Sequence, residues 1–330
     1  MKRTFKIFTE GGGTKGLGHI SRCSSIYDEL VQKGLTGKMY IYSSDADLNV
    51  FNGRDIEFID WYNHETLEMI ITANDYVVVD SYHAPQQTYD LIASKAYKAL
   101  FFDDFNRLKY PKVLVVNPMM TTNEISNQDE LKYLMGSEYI VLRKAFQNVY
   151  KTTINKAIKN VFITLGSIDN HEIVRDIIDY LKSISPKLHV TALTSSCTFL
   201  HKELNYKKFE CFASLSETEM RNTIMESDFV ISAAGQTVFE LITTNTPFIT
   251  LQTAANQHKN TEYLKSIKSD LSILRTLDGY SKNDVEQWIL KMFEDEYRND
   301  CFKKFNEFNY SNGAKNIIHN FLSKEIEGKL

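Results

Sequence analysis

The chain has 330 residues, a formal net charge of −4, and 43% apolar against 24% charged side chains. On a prior of roughly 150 residues per domain this is enough chain for two domains, each able to bury a core without metal or disulfide staples. The balance excludes a disordered or fibrous protein. The slightly acidic charge argues against nucleic acid as a partner, since nucleic-acid binders usually carry a basic excess.

Short apolar runs alternate with amphipathic stretches, the pattern of α/β architecture with parallel sheets. The first run, Phe5–Thr9, leads into a glycine cluster. Five of the chain's 14 glycines lie between positions 11 and 18, which demands a backbone reason. Ile20, Cys23, Ile26, Tyr27, Leu30 and Val31 then recur at helical spacing and stop before Gly34. Strands are expected at Lys38–Tyr42, Tyr76–Asp80, Ala99–Phe102 and Val113–Asn117. The run Val77-Val78-Val79 marks a strand buried on both faces. The stretch Arg143–Asn160 is polar, lysine-bearing and weakly patterned, and reads as a hinge. It sets domains at residues 1–148 and 149–330. In the second domain, strands are expected at Asn160–Thr164, His189–Thr194, Phe229–Ser232 and Pro247–Leu251. A helix carries Ile173, Val174, Ile177, Ile178 and Leu181. The tail from Asp284 holds two further amphipathic stretches and no strand signal.

The four cysteines, Cys23, Cys197, Cys211 and Cys301, are far apart and form no CxxC. Free buried thiols in a reducing compartment are the plain expectation. The N-terminus lacks the apolar centre of a signal peptide, and no run approaches the ~20 apolar residues that span a bilayer. A cytoplasmic protein that does not span a membrane is expected.

Four segments could carry chemistry. The first is Glu10-Gly11-Gly12-Gly13-Thr14-Lys15-Gly16-Leu17-Gly18-His19-Ile20-Ser21-Arg22. Glycines let the backbone turn sharply and approach a ligand, and a helix starting near Gly18 aims free N–H groups at it. Gly11, Gly13 and Gly16 match the dinucleotide spacing, but the acidic residue expected about 20 positions on is misplaced, with Asp45 and Asp47 nearer 30. A Walker A loop is excluded because Leu17 follows Gly16. His19, at the mouth of the loop, could take a proton near neutral pH or simply cap the helix. The second segment is Val79-Asp80-Ser81-Tyr82-His83, where Asp80 could orient His19, hold a hydroxyl, or cap the next helix. Phe102-Asp103-Asp104 ends the following strand in the same way. Adjacent aspartates on extended chain point opposite ways, so no metal is inferred. The third is Thr164 to Asn170, a second strand, glycine turn and helix start. The fourth is Ser232 to Glu240, where N–H groups and the Thr237 hydroxyl could meet a diphosphate and Glu240, one turn in, a ribose diol. Ala255-Asn256-Gln257-His258 then offers amides to a sugar.

Gly16-Leu17-Gly18-His19-Ile20-Ser21-Arg22 resembles the GxGHxxR signature of the pseudaminic-acid pathway nucleotide-sugar hydrolases and the related spore-coat polysaccharide proteins. Those hydrolases cleave UDP-2,4-diacetamido-2,4,6-trideoxy-β-L-altropyranose to UDP and free sugar. Further matches follow in order: Val79 to Tyr82, Phe102 to Asp104, Val115 to Asn117, Tyr139 to Arg143, Leu165-Gly166-Ser167-x-Asp169, and Ser232 to Glu240 followed by Asn256-Gln257. Together they span about residues 5–265, and the second half also resembles the MurG-like glycosyltransferases. The sequence departs from the hydrolase pattern at its first strand, where Glu10 and three glycines replace an Arg/Asp/Ser run. Leu165-Gly166-Ser167 and Ser232-Ala233-Ala234-Gly235 are also altered.

The resemblance implies a GT-B fold, two Rossmann-like domains facing across a cleft. It implies a nucleotide-sugar hydrolase in which water attacks the anomeric carbon with inversion, without metal or other cofactor, and UDP leaves. His19, Asp80 and Tyr82 are the implied catalytic residues. Gly16, Gly18, Arg22, Leu165, Gly166, Ser167, Ser232, Gly235, Gln236, Thr237, Glu240, Asn256 and Gln257 are the implied substrate and nucleotide contacts. An inverting glycosyltransferase of surface polysaccharide or glycan biosynthesis is the alternative on the same scaffold. A non-catalytic binding protein and, from glycine spacing alone, a nicotinamide dehydrogenase are the remaining readings.

Overall fold

The structure is a computed structural model, and it describes residues 3–12, 16–43, 53–111, 113–120, 133–166, 170–204, 206–268, 271, 273–275 and 279–323. The chain divides into two compact units, Met1–Arg143 with Tyr310–Leu330, and Lys144–Asn309.

The first unit holds one seven-stranded sheet in the order β3-β2-β1-β4-β5-β6-β7. Its strands are β1 (Thr4–Glu10), β2 (Thr36–Tyr42), β3 (Ile56–Phe58), β4 (Asp75–Asp80), β5 (Lys98–Phe102), β6 (Leu114–Asn117) and β7 (Tyr133–Met135). Every pairing is parallel. Helices α1 (Gly18–Gln32), α2 (His64–Ile70) and α3 (Gln86–Lys95) supply crossovers. The period-2 alternation of the strands sorts their side chains onto two faces. Phe5, Ile7, Met39 and Val78 pack on one face with Ile20, Cys23 and Leu30 of α1. Phe8, Tyr40, Val77 and Val79 pack on the other with Leu67 of α2 and Tyr89 of α3. The triple-valine run is therefore buried on both faces because it lies mid-sheet between layers of helix. Chain order reverses between β1 and β4, which are paired in the sheet with Thr9 opposite Asp80. Connections leave such neighbours toward opposite faces, and the carboxyl ends of the strands open there to a ligand.

The second unit repeats the plan with six parallel strands in the order β10-β9-β8-β11-β12-β13. These are β8 (Asn160–Thr164), β9 (His189–Leu193), β10 (Phe209–Phe212), β11 (Phe229–Ala233), β12 (Phe248–Gln252) and β13 (Ile273–Arg275). The helices are α4 (His171–Ile184), α5 (Cys197–Glu203), α6 (Glu217–Glu226), α7 (Thr237–Thr243), α8 (His258–Ile267), α9 (Lys282–Phe293) and α10 (Asp295–Phe305). Here the order reverses between β8 and β11. A capping box at Ser216 and Glu219 starts α6, satisfying end groups that a helix cannot pair internally.

Three expectations need correction. First, the tail is not all in the second domain. Helix α11 (Gly313–Ser323) belongs to the first unit, because Ala314, Ile317, Ile318 and Phe321 complete the core layer over α1. Gly313 is what lets it dock, since a Cβ there would lie 1.8 Å from the Ile140 carbonyl oxygen. Second, the stretch after Arg143 is fixed to the second unit. Lys151 N–H donates to Thr244 O at 3.0 Å, Asn155 Nδ2 to Asp228 Oδ1 at 2.8 Å, and Arg298 to the carbonyls of Asn155 and Lys156. The unit boundary falls at Arg143/Lys144. Third, Cys197 and Cys211 form a disulfide. The turn from α5 into β10 folds the chain back, and Thr194 N–H pairs with Phe212 O. Cys23 and Cys301 are buried and lie outside the disulfide, as expected.

No helix among the described residues is long and apolar enough to cross a membrane.

Candidate active site at the first switch point

Glycines shape the described ends of the stretch between β1 and α1. A Cβ on Gly11 would sit 2.4 Å from Ile20 Cδ1, and Gly16 adopts φ 71°, a left-handed conformation that favours glycine. Gly12 N–H closes the loop onto Gly16 O at 2.9 Å. The sequence-derived site residue Gly18 opens α1 and has open space where a side chain would be.

His19 follows in the first turn of α1. It caps no helix. Its Nδ1 lies 2.7 Å from Asp80 Oδ1 at the end of β4. Asp80 likewise caps nothing, since α3 starts only at Gln86 behind Pro85. One turn along α1, Arg22 forks onto Asp80, at 2.8 Å from Nε and 2.7 Å from Nη2, and onto Asp104, at 2.9 Å from both Nη atoms. Such forked contacts are the strong, oriented form of ion pair. Tyr82 closes the cluster. Its hydroxyl donates to Asp104 Oδ2 at 2.7 Å, and its ring meets the His19 ring edge-on, centroids 4.1 Å apart. The structure thus joins four residues singled out in the sequence, His19, Arg22, Asp80 and Tyr82, with Asp104, which was quoted there but given no role.

Burial alone would push the Asp80 carboxyl up, but Arg22 first and then His19 hold it well below the usual carboxylate range. Burial, and then Asp104, push the Tyr82 hydroxyl far up, so it stays a donor. The Arg22 guanidinium remains charged, its burial outweighed by the two aspartates. Two carboxylates face one guanidinium.

Glu10, the last residue of β1, was likewise quoted in the sequence without a role. It is fully buried and accepts hydrogen bonds from the Tyr62 hydroxyl, from Tyr82 N–H at 2.6 Å, and from His83 Nδ1 at 2.9 Å. Ser81 Oγ accepts from the N–H groups of His83 and Ala84, fixing the turn that presents Tyr82 and His83. The only signal in the sequence was position: Glu10 and Asp80 end neighbouring central strands.

In the second unit, Leu165 and Gly166 follow β8, Gly166 with φ 84°. Ser232 lies near the end of β11. Gly235 and Gln236 form the turn into α7, which begins at Thr237, and Glu240 is buried one turn in. Asn260 Nδ2 ties α8 to Ala234 O at 2.9 Å. These residues gather at the carboxyl edge of the sheet around the β8–β11 reversal. Asn256 and Gln257 lie in the short turn before α8, where Gln257 Oε1 accepts Thr253 N–H at 2.9 Å. Ser167, with Asp169, Gly13, Asp45 and Asp47, lies outside the described residues.

No family model matches the chain. It is 25% identical over 259 residues to a Helicobacter pylori protein named pseudaminic acid cytidylyltransferase and UDP-2,4-diacetamido-2,4,6-trideoxy-β-L-altropyranose hydrolase, covering 76% of this chain and 45% of that protein. The chain thus spans less than half the length of that relative. It is 23% identical over 266 residues to the spore coat polysaccharide biosynthesis protein SpsG of Bacillus subtilis, covering 76% of this chain and 78% of SpsG. Among solved structures, Acinetobacter baumannii MurG aligns with a TM-score of 0.66 at 12% identity, over 97% of this chain and all of that one. S. aureus MnaA, in its UDP co-structure, aligns with a TM-score of 0.64 at 13% identity, over 96% of this chain and 95% of that one. The chain is an α/β protein with the GT-B fold of the MurG-like glycosyltransferases and epimerases, and its sequence relatives include the altropyranose hydrolase and SpsG.

Proposed function

We propose that this protein acts on a nucleotide sugar as a hydrolase, releasing UDP and a free sugar by attack of water at the anomeric carbon. The observation that carries the reading is the His19–Asp80 pair at the β1–β4 switch point. A carboxylate on Nδ1 selects the neutral tautomer with its proton there and leaves Nε2 as the base. His19 Nε2 has no hydrogen-bond partner among the described residues. In the proposed step Nε2 takes the proton of water as its oxygen bonds to the anomeric carbon. The carbon–oxygen bond to the diphosphate breaks, UDP leaves as an anion, and the configuration inverts. Asp80, held ionised by Arg22, then stabilises the imidazolium. Tyr82 packs the ring in place. The nucleotide is assigned to the second unit, with the diphosphate at Gly235, Gln236 and Thr237 and the ribose at Glu240. Likeness to the hydrolase named above supports the reaction, and the UDP co-structure of MnaA supports the nucleotide.

The same base would serve a hydroxyl acceptor, and the fold likeness to MurG supports an inverting transferase as the second reading. UDP release from a panel of UDP-sugars tests both. His19→Asn should lower kcat by roughly 10²–10⁴, the usual effect of losing a positioned general base, with UDP affinity retained. Wild-type turnover in the variant would remove His19 from the mechanism. Turnover only with added glycan would give the transferase reading.

A further inference from the structure

The displacement at the anomeric carbon uses one base. The nucleophile loses one proton, His19 takes it, and a diphosphate leaves without needing another. Yet the same sheet edge holds a second imidazole–carboxylate pair, built as the mirror of the first. The end of β4 supplies Asp80 to hold a histidine that follows β1. The end of β1 supplies Glu10 to hold His83, three residues past β4.

Burying a carboxylate is costly unless it is fully hydrogen-bonded. Glu10 has that support in Tyr62, the Tyr82 N–H and His83. His83 differs from His19 in exposure, its side chain being 57% accessible. Its Nδ1 is engaged by Glu10, which leaves Nε2 as the remaining ring position, with no hydrogen-bond partner among the described residues. The two imidazoles flank one residue. Tyr82 donates its N–H to Glu10 and lays its ring against His19. Both imidazoles thus border Tyr82 at the carboxyl ends of β1 and β4. A neutral imidazole Nε2 accepts from a hydroxyl or amide N–H, and a protonated one donates to a carbonyl.

We propose that Glu10 and His83 form a sugar-recognition pair, with Glu10 orienting His83 and His83 Nε2 meeting a hydroxyl or acetamido substituent of the donor sugar. The proposal rests on the nucleotide-sugar reading and assigns what selects the sugar within it. Neither residue belongs to the set inferred from the sequence. Glu10 is where the first strand departs from the hydrolase pattern, which fits a site tuned to a different sugar.

The test is donor discrimination. Wild type, His83→Asn and Glu10→Gln are assayed for kcat/KM with UDP-glucose, UDP-N-acetylglucosamine and UDP-2,4-diacetamido-2,4,6-trideoxy-β-L-altropyranose, and for inhibition by UDP alone. For the preferred donor His83→Asn should lower kcat/KM about tenfold or more, and the ratio between donors should shrink by a similar factor. The inhibition constant of UDP should stay within about twofold, because UDP carries no sugar. Glu10→Gln should follow His83→Asn in the donor ratio. His83 is exposed, so its variant should fold, which circular dichroism checks where Glu10→Gln is unstable. An unchanged donor ratio, or an equal loss for every donor, overturns the recognition role and leaves the nucleotide-sugar reading intact. Failure of wild type to bind UDP or to turn over any donor overturns both.

Discussion

Asp80 shows how one buried charge can serve both the fold and the site. It accepts from His19 and twice from Arg22, and it is fully buried. Replacing one partner of a buried ion pair strands the other, at a cost of about 3–5 kcal/mol. Asp104 still holds Arg22, so Asp80→Asn should fall at the low end, about 3 kcal/mol. The pH dependence follows from the lowered carboxyl. A group depressed in the folded state contributes stability above its unfolded value, roughly 3.9, and loses it as pH falls toward the folded value. Wild type should therefore lose stability on acidification below about pH 4 through this group, and Asp80→Asn should show a flatter acid limb. Urea titrations at pH 7 and pH 3.5 measure both effects; parallel acid limbs would show that Asp80 contributes nothing to the slope. At this scale the sequence was legible where a residue ended a buried strand or opened a helix after glycine, as with His19 and Asp80. It was not legible where the partner lay far along the chain. Arg22 reaches Asp104 across 82 positions and His83 reaches Glu10 across 73. Nor did spacing reveal the Cys197–Cys211 bond, which depends on how α5 turns into β10.

Among the elements, the central strands were readable and the sheet edges were not. β4, β5, β8, β11 and β12 carry runs buried along nearly their whole length, so their sequences are continuous apolar stretches. β3, β7, β10 and β13 are the four edges, three or four residues each. With one neighbour and a half-exposed face they need no apolar run, and a sequence such as Ile56-Glu57-Phe58 carries little strand signal. The tail reads in the sequence as two amphipathic stretches but folds into three helices, α9, α10 and α11, and the place of α11 was not legible, because amphipathic periodicity says that a face is buried and not against what. Its place makes a strong prediction. Ile317, Ile318 and Phe321 are fully buried in the first unit's core. At about 1.5–3 kcal/mol per buried side chain, removing residues 310–330 withdraws roughly 5–9 kcal/mol. That rivals the whole stability of an ordinary domain, about 5–15 kcal/mol. The chain's two tryptophans separate the outcomes, since Trp61 lies in the first unit and Trp288 in the second. In single-tryptophan backgrounds the truncation should unfold the surroundings of Trp61 and spare those of Trp288. An unaltered Trp61 urea transition would contradict the placement of α11.

For the whole molecule, the alternation of strand and helix made parallel α/β architecture legible, and the resemblance carried by the ordered motif matches pointed to the GT-B fold. The membership of each unit was less so. A chain that leaves a unit and returns to it through one helix gives no compositional mark of the return. In the proposed reaction His19 serves an attack at carbon. Attack at the anomeric carbon and attack at phosphorus both release UDP, but they put solvent oxygen on different products. Turnover of a UDP-sugar in ¹⁸O-water, followed by mass spectrometry of both products, separates them. The account predicts one ¹⁸O in the released sugar and none in UDP. Label in the UDP phosphate would contradict attack at carbon and the role assigned to His19.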